Sequence, residues 1–576
     1  MIMKIHNILT ISAVAALSLA SCDDMFEPNI EQHPDFDQII ANPTSFYGLL
    51  MTPYSRFNDD RKFYTNRIHE DLATGDFYEN TPDNWLQMSQ GTWTSKNNQL
   101  DKWNDIRESI QYINIFLENM DKVVWSKDKE VNEKFKKRLS GEAYALRGIM
   151  NYFFLRDCAG FADGESQMLG IPLLTKSEDV NSNFNQPRAT FRASIEQIMA
   201  DLDEAAKYLP DEYSGTDLVL GEGRNGLING TIVKAVKSQV ALMAASPLYQ
   251  GQSDITWKQA ADYVAIVLQG HELVPDGNTW YAHSQEIEDL SAGALPPEAI
   301  WRGDRSGTDD VSFEKDCYPP SLYGSGLINP TQNLVDAFPM ANGYPITESA
   351  SGYDPKHPYD NRDPRLDLYI IHDGSIFKEK EIETFRGSTK QDGINDANGK
   401  ATVTGYYLKK FMNEEVDPNS TKPNGRRHYN ARIRYTELFL NYAEAQNEAE
   451  GPQSAGSLGK SPYEIIKAIR QRGGITNDQY LESIKSDQAK MRELIHNERR
   501  IELMGENFRF WDLRRWKEPL NEQPKMMNIT VNGTNRTYSI EPIPGDNFHF
   551  EDYMYYCPLP ETEVLKWTNL KQNSGW

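Results

Sequence analysis

The sequence predicts a mainly α-helical fold, built of stacked helical hairpins with an irregular, loop-rich subdomain carrying short strands. Three observations predict it. Apolar residues recur at helical spacing through most of the first half and again near the C-terminus. Pro and Gly fall at the ends of those runs and between them. Residues 271–429 are instead rich in Gly, Pro, Asp and aromatics, with few long periodic runs. A loop-rich stretch of that size is usually functional rather than a connector.

The chain begins MIMKIHNILTISAVAALSLASC. Lys4 makes a weakly charged start and Ile8 to Ala20 an apolar run too short to span a bilayer. Residues 1–21 therefore read as an export signal, outside the fold. Leu19-Ala20-Ser21-Cys22 has the form of a lipobox, which makes Cys22 the acylated first residue of the mature chain. Several acyl chains on one cysteine anchor stably where a single chain is marginal. Residues 22–35 are a polar tether with Pro28 and Pro34. About 14 residues at ~3.3 Å each reach roughly 45 Å, enough to hold the body off a membrane.

The 576 residues carry a formal net charge of −24. An acidic balance argues against a nucleic-acid partner, which calls for a basic face. After Cys22 three scattered cysteines remain, Cys158, Cys317 and Cys557. They form neither a disulfide framework nor a metal-binding spacing. We expect mostly buried thiols, with one bridged pair left open.

Within the first helical region, 36–270, the helices follow in order. Asn104–Val124 carries Ile106, Ile110, Ile113, Phe116, Leu117 and Met120 on one face. Gly141–Gly160 repeats the pattern with Ala143, Leu146, Met150 and Phe153. Thr190 caps a helix through Leu209, which Pro210 ends. Thr231–Ser246 and Trp257–Leu268 form a pair whose Ala241, Ala244 and Ala245 permit close approach. The loop-rich region then spans 271–430. The last region, 431–576, holds a second pair, Arg432–Ala449 and Pro462–Arg472.

The stretch Met491–Trp516 organises the C-terminal part. Met491, Leu494, Ile495, Ile501 and Met504 mark one apolar helix face, with Ser486 or Asp487 as its cap and Gly505 at its end. Glu498 falls on that face. An unpaired buried carboxylate is very costly, and Arg499, Arg500, Arg509, Arg514 and Arg515 are the candidate guanidinium partners. A carboxylate held by arginines is ill suited to donating a proton as a general acid. We therefore expect Glu498, Arg499, Arg500 and Arg514 to be structural, followed by a short aromatic helix around Phe508, Phe510, Trp511 and Trp516.

ELIHNERRIELMGENFRFWDLRRW, residues 493–516, closely resembles the C-terminal signature of SusD/RagB-type outer-membrane lipoproteins. GEAYALRGIMNYFFLRDCAGF with GIPLL, KSQVALMAASPLYQG, YDNRDPRL, RYTELFLNYAEAQNEA, AIRQRGG and the closing PLPETEVLKWTNLKQNSGW resemble further blocks of that family, in family order. The resemblance implies a SusD-like helical scaffold of TPR-like hairpins with an irregular subdomain. It implies a non-catalytic, cofactor-free surface lipoprotein that captures an oligo- or polysaccharide and closes as a lid over a SusC-like TonB-dependent transporter. It also implies outer-membrane localisation through Cys22, with Asp23 and Asp24 resembling a surface-export signal. A RagB-like binder of peptide or another non-glycan nutrient is the alternative within the fold. A lipid-anchored glycoside hydrolase and a purely structural transporter subunit lie outside that reading.

No motif in the chain carries catalysis. GSLGKS has Ser454 where a phosphate loop needs its first glycine, and it follows a helix. DGINDANGK (392–400) lacks oxygen ligands at both ends of a Ca²⁺ loop, with Ile394 first and Gly405 last. No close His pair suggests a metal site. With 84 acidic residues, a chance pair of carboxylates leaves hydrolysis open on residues alone.

A glycan platform needs aromatics with polar neighbours, because sugar rings stack on aromatic faces while amides and charged groups take the hydroxyls. Residues 71–103 have that character, with Tyr78, Trp85 and Trp93 among Asn80, Asp83, Asn84 and Gln87. Trp85 and Trp93 lead this set, with Tyr78 and Asn84 beside them. The second set is Trp280, Trp301 and Tyr323 of the loop-rich region, with Tyr281, Arg302 and Tyr318 nearby.

Overall fold

In the computed structural model the described residues are 36–58, 62–64, 67–290, 293–395, 400–545 and 547–576. The expected export signal, Cys22, the expected tether and residues 396–399 of the DGINDANGK stretch lie outside them.

Ten longer helices make the scaffold. They are α1 (Pro43–Arg56), α2 (Trp103–Asn119), α3 (Lys129–Cys158), α4 (Phe191–Ala206) and α5 (Gly230–Ala245), then α6 (Trp257–Leu268), α7 (Tyr435–Glu450), α8 (Pro462–Arg472), α9 (Gln488–Glu502) and α10 (Arg509–Trp516). Each of α1 to α5 packs on the next, α5 packs on α6, α6 on α7, and α7 on both α8 and α9. This is the continuous stack of hairpins that the periodicity predicts. Local chemistry sets the helix starts. Asn42 caps α1 with Pro43 at its first position, Thr190 caps α4, and Thr256 and Ser461 form capping boxes with Gln259 and Glu464. Asp487, not Ser486, caps α9, accepting from the Ala489 and Lys490 amides at 3.0 Å.

The strands are short and antiparallel. β1 (Phe77–Glu79) pairs with β3 (Ile328–Pro330), β2 (Ala299–Arg302) with β4 (Ala431–Arg434), and β5 (Lys525–Asn532) with β6 (Asn535–Pro542). The helix expected from Arg432 begins instead at Tyr435, because residues 431–434 complete their backbone hydrogen bonds across to β2. The β5–β6 hairpin escapes a search for helical periods. Its signal is Asn532-Gly533 between alternating segments, with Gly533 at φ 63° in the turn.

Two apolar cores result. One runs through the helical stack from Phe46 to Leu570. The other gathers the loop-rich region, the 68–100 stretch and residues from Ile501 to Cys557. Cys158, Cys317 and Cys557 are free and buried.

A chain of buried charges joins these parts. Glu498 is fully buried on α9, as its place on the apolar stripe requires. Its partners are not the neighbouring arginines. Arg365, from the YDNRDPRL loop, donates to Glu498 Oε1, and Arg470 of α8 to Oε2 at 3.2 Å. Adjacent residues on a helix point in different directions, so Arg499 and Arg500 face elsewhere. Arg499 pairs with Asp512 at 3.1 Å, Arg500 with Asp76, and Arg515 with Glu444 and Asp512. Arg509 lies 3.9 Å from Asp76. Arg514 has no carboxylate partner among the described residues and lies 3.4 Å over the Phe510 ring. Beyond Glu498, Arg365 reaches Asp363 at 2.7 Å and Glu502 at 2.8 Å, Arg472 holds Glu502 at 3.0 Å, and Arg434 bridges Glu298 and Glu506. Burial alone would raise Glu502, but Arg472, Arg365 and Arg434 outweigh it and hold its pKa down at about 2.

Removing one partner from such a network leaves the others buried and uncompensated. Glu498→Ala is expected to cost ~3–5 kcal/mol in chemical denaturation, because Arg365 and Arg470 both lose a carboxylate. A denaturation midpoint equal to the parent's would refute the network's role.

Candidate functional site

A cavity of about 370 Å³ opens at the seam between the two cores. That size is within the usual range of small-ligand pockets. The stack contributes Tyr152, Phe153 and Arg156 of α3, Gln239 of α5, and Glu437 and Asn441 of α7. The loop-rich region contributes Trp280, Tyr281, Phe313, Phe411 and Tyr429. Tyr64, Arg432, Phe508 and Trp511 are also part of the wall.

Local backbone geometry shapes this wall. Gly505, just past α9, has φ 72°, and a Cβ there would lie 3.0 Å from both Ile68 Cδ1 and Phe411 Cε2. Only glycine lets the chain pass so close in that conformation. Phe411 itself has φ 72°, rare for a bulky side chain. Its ring packs near Tyr281, Trp280 and Phe313 at centroid distances of 5.5–6.2 Å. Strained residues of this kind cluster at ligand clamps and active sites.

The wall is both aromatic and polar. Tyr64, Tyr152, Phe313, Phe411 and Trp511 are half-buried, so part of each ring is open to the cavity side. Tyr64 Oη, Arg156 Nη2, Trp280 Nε1, Tyr429 Oη, Arg432 Nε, Glu437 Oε2 and Trp511 Nε1 have no hydrogen-bond partner among the described residues. Each such group costs about 1–3 kcal/mol when buried and unmatched. These atoms belong to residues that line one cavity. Burial pushes the Glu437 carboxyl up to about 7, although Gln239, Arg499 and Asn441 favour its charged form. At the rim, burial would lower His428, but Asp310 and Glu314 outweigh it and raise it to about 9.

The predicted site residues divide. Trp280 lines the cavity, and Arg499 and Arg514 lie in its floor. Trp301 is 1% exposed and packs behind Tyr64 with centroids 5.0 Å apart. Tyr323 is 57% exposed, in the left-handed conformation and away from the cavity. Trp85 and Trp93, expected as an exposed platform, are only 7% and 2% exposed. Trp85 stacks on His69 at 5.3 Å, and Trp93 packs against Trp576, Phe510 and Phe550. Tyr78 is buried on β1, while Asn84 is exposed.

The correction has a physical reason. The amides and acids around these rings brace their own loop. Asp83 caps the turn carrying Trp85 at 2.7 Å, Asn80 donates to the Ser325 and Gly326 carbonyls, and Asn98 accepts from Trp93 Nε1 at 2.9 Å. Composition alone does not separate such bracing from a ligand platform. Phe313, Phe411, Tyr64 and Trp511 escape the sequence reading because they come from distant stretches.

The family comparisons agree with this architecture. Residues 297–576 match the model of the SusD family, and residues 25–220 match one described as starch-binding associating with outer membrane. The chain belongs to the SusD/RagB family. Among curated relatives, SusD-like protein P38 of Formosa agariphila is 20% identical over 544 residues, 92% of this chain and 95% of that one. SusD-like protein P25 of the same organism is 37% identical over 112 residues, 19% of each chain. A solved SusD-like carbohydrate-binding protein from Bacteroides fragilis superposes with a TM-score of 0.70 at 20% identity, covering 92% of this chain and all of that one.

The raised acids set a pH dependence. Glu437 rises from 4.5 to about 7 and Asp71, through burial and then Asp76 and Glu70, from 3.8 to about 8. A group whose folded pKa is raised contributes stability at low pH that is lost as pH rises through that window. His428, raised from 6.5 to about 9, acts in the same direction. Thermal melts are expected to show Tm falling from pH 5 to pH 9. Glu437→Gln should flatten the part between about 4.5 and 7; an unchanged slope there would show that Glu437 does not titrate as its burial requires.

Proposed function

We propose that this protein is an outer-membrane lipoprotein, anchored through Cys22, that binds an oligo- or polysaccharide and delivers it to a SusC-like TonB-dependent transporter. The seam cavity carries the reading: half-buried rings to stack on sugar faces, with unpartnered N–H and O–H groups beside them for hydroxyls. Family membership and the carbohydrate-binding relative support it, and the outer-membrane description of the matching model supports the location. The protein binds without cleaving and uses no cofactor. The tether lets the body stand over the channel, and rigid-body closure of the lid encloses the ligand.

A stacking ring in a binding site is commonly a hot spot worth ~2 kcal/mol or more. A glycan array followed by calorimetric titration should give a ligand whose affinity falls at least tenfold, about 1.4 kcal/mol, in Phe313→Ala. Half-burial of Phe313 should leave Tm nearly unchanged. Normal glycan binding by this variant would remove the cavity as the site, and reducing-end release during incubation would make the protein a hydrolase. Gentle detergent extraction with crosslinking should co-purify a large β-barrel partner. Recovery as a lone monomer would count against delivery to a transporter.

A further inference from the structure

The charges of the cavity wall narrow the ligand further. Most buried arginines in this protein are matched in one of two ways; Arg514 of the cavity lining is an exception, with one main-chain carbonyl, no carboxylate among the described residues and the Phe510 ring against its guanidinium. Arg365, Arg434, Arg470, Arg499 and Arg515 each hold carboxylates within ion-pair distance. Arg188 and Arg362 hold none, but main-chain carbonyls take their N–H groups, four for Arg188 and three for Arg362.

Arg432 follows neither pattern. Its Nη2 donates to the Phe57 carbonyl at 3.0 Å and to Asn58 Oδ1, while its buried Nε has no partner among the described residues. No carboxylate among the described residues lies within 4 Å of it. Its guanidinium lies over the Trp301 ring, 4.8 Å from the centroid. Arg156, also on the cavity wall, repeats the arrangement at 3.9 Å over Trp511, with Nη2 unpartnered. It has a single long contact to Asp157, at 3.3 Å, and Asp157 is shared with Lys102. Burial without a carboxylate lowers Arg432 to about 10. A guanidinium packed against an aromatic ring keeps its N–H groups in one plane, which suits the paired oxygens of a carboxylate or sulfate. Six acids also line the wall: Asp310 is paired with His428, Glu506 with Arg434 and Lys410, and Asp512 with Arg499 and Arg515; Asp304 is exposed and bonded to Asn58, and burial raises Glu70 and Glu437 toward their neutral forms.

We infer that the seam cavity selects an acidic saccharide, a uronate or a sulfated sugar, whose anionic group is received by Arg432 and Arg156 while neighbouring rings stack on Phe313 and Trp511. The inference rests on the glycan-binding reading and adds the chemical class of the ligand.

The test is calorimetric titration of the full mature protein with a panel of oligogalacturonates, alginate oligomers and sulfated galactan oligomers. Each is paired with its carboxyl-reduced or desulfated counterpart, and triglutamate is added as an acidic peptide. At least one acid is expected to bind tenfold or more tightly than its neutral counterpart, with affinity falling as salt rises. Arg432→Gln should erase that preference, Arg432→Lys should reduce it, and Arg492→Gln, outside the cavity wall, should leave it intact. Should Arg432→Gln not fold, the acid-to-neutral ratio of the parent and the Lys variant decide. Equal binding of acid and neutral members, or binding of the neutral ones alone, overturns the inference and leaves the glycan reading standing. Binding of triglutamate with no glycan bound, or of nothing at all, overturns both.

Discussion

The structure depends on the buried chain of carboxylates and guanidinium groups centred on Glu498. Asp363, Arg365, Glu498, Arg470 and Asp478 form one continuous line, and Glu502, Arg472, Arg434 and Glu506 extend it. Such a network is not an efficient source of stability, since desolvating its charges offsets much of their attraction. What it imposes is position. A carboxylate that must meet two particular guanidinium groups tolerates little displacement of the segments that carry them, and these come from a loop, from α8 and from α9.

That constraint reaches the cavity. Glu506, held by Arg434 and by Lys410 at 2.8 Å, lies in the cavity wall. Arg434 immediately precedes α7, which supplies Glu437 and Asn441, and Lys410 precedes the strained Phe411. The ion pairs therefore fix both sides of the seam. The family-like motifs of this chain carry many of the ion pairs and part of the wall, Tyr152, Arg156, Glu437 and Trp511 among it, while Trp280, Phe313 and Phe411 lie outside those motifs.

The region around Trp85 and Trp93 shows the other side of this division. Its polar residues have complete local roles as caps and cross-braces, and its rings fill the second core. In the seam, by contrast, polar atoms belonging to Arg156, Trp280, Tyr429, Arg432 and Trp511 lack partners among the described residues. The distinction between a braced loop and a receptive wall lies in which hydrogen bonds are already made, and residue type does not reveal that.

Much of the fold was legible because helices are written locally. The run Ile195–Leu202–Leu209 with Thr190 before it, or Trp257–Leu268 with Gly270 after it, contains within one contiguous stretch the apolar period and the end signals that define it. Glu498 on an apolar stripe announced a buried carboxylate by the same local logic. Its partners were not legible, because Arg365 lies 133 residues away and sequence proximity favoured Arg499 and Arg500, which point elsewhere. The cavity was less legible still: of the candidate aromatics Trp280 and Tyr281 line it, and the other rings come from residues such as 64, 152, 313, 411 and 511. The sequence by itself thus determined the helices, the buried acid and the family, all carried by contiguous residues. Only the tertiary structure decided which rings face the seam and which guanidinium groups go unmatched, because exposure and pairing are properties of segments brought together from across the chain.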